Sequence, residues 1–183
     1  MAAPQLYPAF ARYNSWMNKK LYALCAGLPD EERKRDRKAF FASLHGTLNH
    51  ILLADRVWML RFTGDRERFA SRDRDGKPIH PSGLDHVLYD DFDLLRSERV
   101  RTDAQILGWV CGLDEPQLDV PLVYHTIVTD EDWEVPLWWG LSHFFNHQTH
   151  HRGQVTTLLS QLGIDPGLTD LVVFLHDEEE RKA

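Results

Sequence analysis

The chain of 183 residues has only two cysteines, Cys25 and Cys111, far apart and in no CxxC pair. That excludes a disulfide framework and a cysteine zinc motif, and it suits a reducing cytoplasm. Positive charge is in the minority: 21 Lys and Arg stand against 28 Asp and Glu, for a formal charge of −7. A field of that sign repels phosphate, so general nucleic-acid binding is not expected. The one basic run, Glu32 to Lys38, is diluted by its acidic neighbours and reads as a solvated turn or short helix face. No apolar run approaches the ~18 residues needed to span a bilayer, so no membrane association is expected. The opening Met-Ala-Ala-Pro-Gln-Leu-Tyr lacks a cationic region before an apolar core, and no signal peptide is expected. No internal repeat and no strong series of strands is visible.

Helical periodicity is what remains. Phe10, Tyr13, Met17, Leu21 and Leu24 form a stripe in a first helix predicted from Pro8 to Ala26. A second pattern runs from Arg37 to Phe62 and stops at Gly64, a natural C-terminal cap. A polar, Gly- and Pro-containing stretch follows from Asp65 to Asp85, then a third helical pattern from Asp90 to Leu113. Residues 118–134 are β-prone, through Val-Pro-Leu-Val-Tyr-His and Ile-Val-Thr, and predict a short hairpin. A fourth helix is predicted from Pro136 to Gly163 and a short last one from Thr169 to His176. Four helices of about twenty residues predict an all-α four-helix bundle, one domain over residues 1–183, with connections long enough to depart from simple up-down order.

Ten histidines are present, and four fall within nine residues: His143, His147, His150 and His151. Positions four apart on a helix are about 6 Å apart along the axis and roughly 40° apart around it, so two neutral imidazoles there can face one divalent cation. Spacing alone leaves two pairs open, His147–His151 and His143–His147. His150 points away from His151 and reads as a surface or supporting residue. A site that does chemistry needs a third protein ligand. His50, in the second helix, is the candidate, with Gly46, Thr47 and Ala54 as small neighbours that leave room around it. His45 lies about 140° round the helix from His50 and is expected off the site. Gly140 and Gly153 cost helix stability and suggest close packing or needed space. Asp55 is expected either to support the site or to make a helix-to-helix salt bridge, with Arg152 as the partner considered. Gln154 is a possible helper, and Tyr124 and Trp133 are candidates for the mouth of a pocket.

The strings Leu48-Asn-His50-Ile-Leu-Leu-Ala-Asp55-Arg-Val-Trp58 and Phe145-Asn-His147-Gln-Thr-His-His151-Arg-Gly-Gln154 together resemble the DinB family, in the DinB/YfiT-like group of metalloenzymes. The resemblance covers nearly the whole chain. It implies a four-helix bundle in which one histidine of the second helix and two of the last long helix bind a divalent metal, often zinc or nickel. Carried over by position, these are His50, His147 and His151. It also implies thiol-dependent transferase or isomerase chemistry on a small molecule, hydrolysis being a further possibility, or else a non-enzymatic metal-binding stress or damage response. Six Trp and nine Phe offer more apolar surface than a small bundle easily buries, and a homodimer is expected.

Overall fold

The computed structural model describes residues 3–126 and 129–181. Four long helices build the body: α1 (Ala3–Ala26), α3 (Leu44–Thr63), α5 (Phe92–Val110) and α6 (Leu137–Gln161). Short helices α2 (Asp30–Lys34) and α4 (Arg66–Phe69) lie in the connections, and α7 (Leu171–Glu180) closes the described chain. A two-stranded antiparallel hairpin, β1 (Pro121–Thr126) and β2 (Glu131–Pro136), pairs Tyr124 with Trp133 and leads directly into α6. The expected hairpin is present, although Ile127 and Val128 of its predicted stretch lie outside the described residues.

Helix α1 packs on α5 and α6, and α3 packs on the same two, so α1 faces α3 across the diagonal. Two apolar clusters fix the direction of each helix. One cluster holds Met17, Leu21, Leu44, Leu48, Leu95 and Leu159; the other holds Tyr7, Ala11, Met59, Ile106, Leu141 and Phe144. Helices α1 and α6 pass from the second cluster to the first, whereas α3 and α5 pass from the first to the second. Helices α3 and α5 are therefore parallel neighbours. The chain between them must return the full length of the bundle, which is why residues 64–91 form so long a connection. On the way back Leu88 and Tyr89 are buried in the first cluster.

Between the two clusters every long helix contributes a buried polar residue. Arg99 bonds Asp55 at 2.6 Å and pairs with Asp103 at 2.8 Å. Asp103 also accepts from Asn18 at 3.0 Å and Asn14 at 3.2 Å, and Asp55 accepts from Gln148 at 2.9 Å. Arg152 donates to Asn14 and to Thr149. Asp55 thus makes the expected bridge between helices, but to Arg99 rather than Arg152. Burial pushes the Asp55 and Asp103 carboxyls upward in pKa, with Arg99 opposing. Burial also disfavours the Arg99 charge, yet the carboxylates of Asp103 and Asp55 outweigh it and hold that guanidinium above its ordinary value.

Two helix starts differ from expectation. Helix α1 begins at Ala3, with Pro8 inside it, close enough to the start that only an early backbone bond is lost. Helix α3 begins at Leu44 rather than Arg37. Lys38 and Ala42 take positive φ values of 59° and 60°, and the Ser43 side chain accepts from the Gly46 N–H at 3.0 Å, capping the helix. At its other end Gly64 has φ 69° and ends α3 where expected.

Candidate metal centre

His50 on α3 and His147 and His151 on α6 turn their Nε2 atoms toward one point. The three separations are 3.4 Å (His50–His147), 3.2 Å (His50–His151) and 3.0 Å (His147–His151). Two imidazole nitrogens held about 2.1 Å from one cation lie roughly 3.0 Å apart at a right angle and roughly 3.4 Å apart at a tetrahedral angle. The triangle falls within that interval, and the donor set fits a divalent metal ion. These three form one of two ligand groups of suitable spacing among the described residues; the other, on α7, consists of the exposed His176 and Glu180 with the half-buried Asp177.

The outer nitrogens explain why the inner ones are available. His50 Nδ1 donates to the Leu84 carbonyl at 2.8 Å, and His151 Nδ1 lies 2.9 Å from Gln154 Oε1. Each of these contacts places the ring proton on Nδ1 and leaves a bare lone pair on Nε2, the tautomer a metal ligand requires. Burial lowers the His50 pKa to about 4, and burial with the neighbouring His151 and His50 rings lowers that of His147 to about 3. His151 is lowered too, chiefly by burial. The cluster is therefore neutral near pH 7, ready to bind a cation without first releasing protons.

Backbone around α3 sets this geometry. Asn49 accepts from the Tyr89 N–H at 2.9 Å, and His45 Nε2 meets the Tyr89 carbonyl at 2.8 Å, pinning the returning connection against α3. Leu84, five residues earlier, is thereby brought over His50. On the other side Phe41 stacks on the His50 ring, centroids 3.8 Å apart and planes 16° apart. Gly46 makes that approach possible: a Cβ there would sit 2.2 Å from the Phe41 carbonyl oxygen. Its small size serves the close passage of the preceding loop. Neither Leu84 nor Phe41 is visible as a site residue in the sequence, because a carbonyl bears no residue signature and Phe41 reads as one more member of an apolar stripe.

The other candidates separate clearly. His143 stays outside the triangle, its ring 4.9 Å from Trp58 and 5.7 Å from His147. His150 is exposed, beside Gln154 at 3.4 Å. His45 is buried and off the site. Gly140 packs against Phe62 and Leu122, whereas Gly153 faces open space. Tyr124 and Trp133 do line a cavity, of about 490 Å³, whose wall includes His50 and His147. Its floor is the facing stripes of α3 (His50, Ala54, Trp58) and α6 (Gly140, His143, His147), and the hairpin forms its roof. A somewhat larger apolar cavity, about 580 Å³, lies between α1, α6 and α7, and none of the three imidazoles lines it.

Fold and site define a four-helix bundle with a buried three-histidine group able to hold a metal ion. The family model described as the DinB family matches residues 1–182, and the chain belongs to that family. It is similar to Protein DinB of Bacillus subtilis (strain 168), 25% identical over 181 residues that cover 93% of this chain and 94% of the relative.

Proposed function

We propose that the protein is a divalent-metal-dependent enzyme, a low-molecular-weight-thiol S-transferase or a hydrolase, with His50, His147 and His151 as the ligands of a zinc or nickel ion. One observation carries this reading: three Nε2 atoms converge within 3.4 Å of one another, and two of the three rings, His50 and His147, line a cavity large enough for a small molecule. A purely structural site would be closed by a fourth side chain, and among the described residues no fourth His, Cys, Asp or Glu joins the group. When bound, a divalent cation with three imidazole ligands supplies an open position and makes a thiol or water nucleophilic at neutral pH.

The chain's own part is to hold and to exclude. Leu84 and Gln154 fix the orientation of two ligand rings, Phe41 shields His50, and the aromatic cavity wall receives the substrate body while limiting water. Cys25 and Cys111 are both free, which supports a reducing, cytoplasmic setting. Exposed Val123, Trp138 and Trp139 support a homodimer.

Cobalt-loaded protein tests the enzyme reading. Addition of 2-mercaptoethanol is expected to produce a thiolate-to-metal absorption band in the wild type and none in His147→Ala. Full cobalt occupancy with no such band would indicate a closed site and favour a non-enzymatic metal-binding protein of stress or damage response.

A further inference from the structure

The cavity beside the three histidines has one charged lining residue among those described, Arg61. It lies eleven positions after His50, three helical turns along the same face of α3. Its guanidinium is 4.7 Å from the centre of the Trp58 ring and 4.7 Å from that of Tyr124. One of its five N–H donors is used, by the His125 carbonyl at 3.1 Å, and among the described residues no carboxylate lies within ion-pair distance. Most other arginines of this chain with buried or half-buried heads do meet an acid: Arg56 pairs with Glu98, Arg99 with Asp55 and Asp103, Arg37 with Glu32. Arg61 instead lies between two aromatic rings, unpaired, at the far end of an apolar trough that begins at the imidazoles. Ring contacts run without a break from Arg61 to Trp58, from Trp58 to His143 and from His143 to His147.

We propose that Arg61 is the anion-anchoring residue of the substrate site, and that the ligand is an elongated, apolar monocarboxylate whose reacting end lies at the three histidines. This deepens the metal-enzyme reading and rests on it for the identity of the reacting end. The chemistry of the carboxylate end follows from the residues themselves. A planar fork with free donors, desolvated by two rings, binds a carboxylate by charge-assisted hydrogen bonds. A single fixed positive charge matches a single negative one, and the wall between the two ends offers aromatic and aliphatic surface. The Cα atoms of residues 50 and 61 are roughly 16 Å apart along the axis, and both side chains lean back toward the N-terminus, the longer arginine by more, so the two ends of the ligand are roughly 10–15 Å apart. Arg61 here is a specificity residue that touches substrate remote from the reacting atoms.

Calorimetric titration with two matched pairs of probes tests it. Metal-loaded protein is titrated with 8-mercaptooctanoate and 8-mercaptooctanol; metal-free protein is titrated with octanoate and octanol. The wild type is expected to prefer the acid about ten-fold or more in both pairs. Arg61→Gln should abolish the preference while leaving the alcohols' affinity within about three-fold, and Arg61→Lys, which keeps the charge without the fork, should retain part of it. Circular dichroism of both variants checks that the bundle is intact. Equal affinity for acid and alcohol in the wild type, no detectable binding of either acid, or an undiminished preference in Arg61→Gln would each overturn the proposal and leave Arg61 a clamp between α3 and the hairpin. Failure of the metal reading has a different signature: the thiol probes would bind no tighter than their thiol-free partners, while the octanoate preference remained.

Discussion

Two groups of buried polar side chains sit at nearly the same level of this bundle, and they are built on opposite rules. In the ionic layer the carboxylates meet their complement: Arg99 lies between Asp55 and Asp103, amides of Asn14, Asn18 and Gln148 take up further lone pairs, and Arg152 is held by Asn14 and Thr149. In the histidine cluster like faces like, three ring nitrogens within 3.4 Å of one another, with the donors of His50 and His151 turned outward. The two are adjacent in sequence, since Gln148 follows His147 and Arg152 follows His151. One step along a helix turns a side chain about 100°, enough to move it from the axis of the bundle to the flank where the cavity lies. A satisfied polar group holds a fold in register. One left without complements, beside a cavity, is a place for something else to bind.

Perturbing each group should separate these roles. The largest effect is expected in the ionic layer: Arg99→Met leaves two buried carboxylates without their partner and should cost ~3–5 kcal/mol in urea unfolding. His147→Ala should change metal-free stability far less. Chelating the metal from wild-type protein should lower the melting temperature only by mass action, at most ~4 kcal/mol in stability, with the helical circular dichroism at 25 °C largely intact. Complete loss of the helical signal on chelation would mean that the two groups do not differ in the way described.

A pH titration sharpens the comparison at intermediate size. In the folded, metal-free protein His50 and His147 have pKa values of about 4 and about 3, below the 6.5 of an ordinary imidazole. Between those values the unfolded chain binds more protons than the folded one. Their contribution to stability is thus fully present above about pH 6.5 and is lost as pH falls toward 4 and then 3. The unfolding midpoint of metal-free protein should fall across that window, and replacing both histidines by Gln should flatten this part of the profile.

The smallest effects concern two helical glycines flanking the site. Gly46→Ala would place a Cβ 2.2 Å from the Phe41 carbonyl, so the preceding loop must shift and the Phe41–His50 stack should be lost. Metal affinity is expected to drop several-fold by calorimetry. Gly153→Ala meets nothing within 4 Å and should stabilise the helix by ~0.5–1 kcal/mol without changing metal affinity.

What was legible in the sequence followed its periodic signals. The four long helices, the Gly64 stop and the hairpin before α6 were all visible, because apolar spacing and cap chemistry are local. The start of α3 was not, since the apolar spacing continues through Phe41 while the backbone at Lys38 and Ala42 turns to positive φ. Helical spacing left His143–His147 and His147–His151 as rival pairs, and only the resemblance chose between them. In three dimensions His143 lies beside Trp58 and outside the triangle. The partner of Asp55 was misjudged because Arg152 is nearer in the motif, whereas Arg99 comes from a third helix whose register against α3 no local pattern encodes. The Leu84 carbonyl was out of reach for the same reason, since it arrives by a connection that must return the length of the bundle.

Titration of metal-free protein with zinc, with alanine at each histidine in turn, tests the central claim most directly. The account predicts one ion per chain for the wild type, a loss of affinity of at least about 100-fold for His50→Ala, His147→Ala and His151→Ala, and little change for His143→Ala. Full stoichiometric binding by His147→Ala, with loss in His143→Ala, would contradict it.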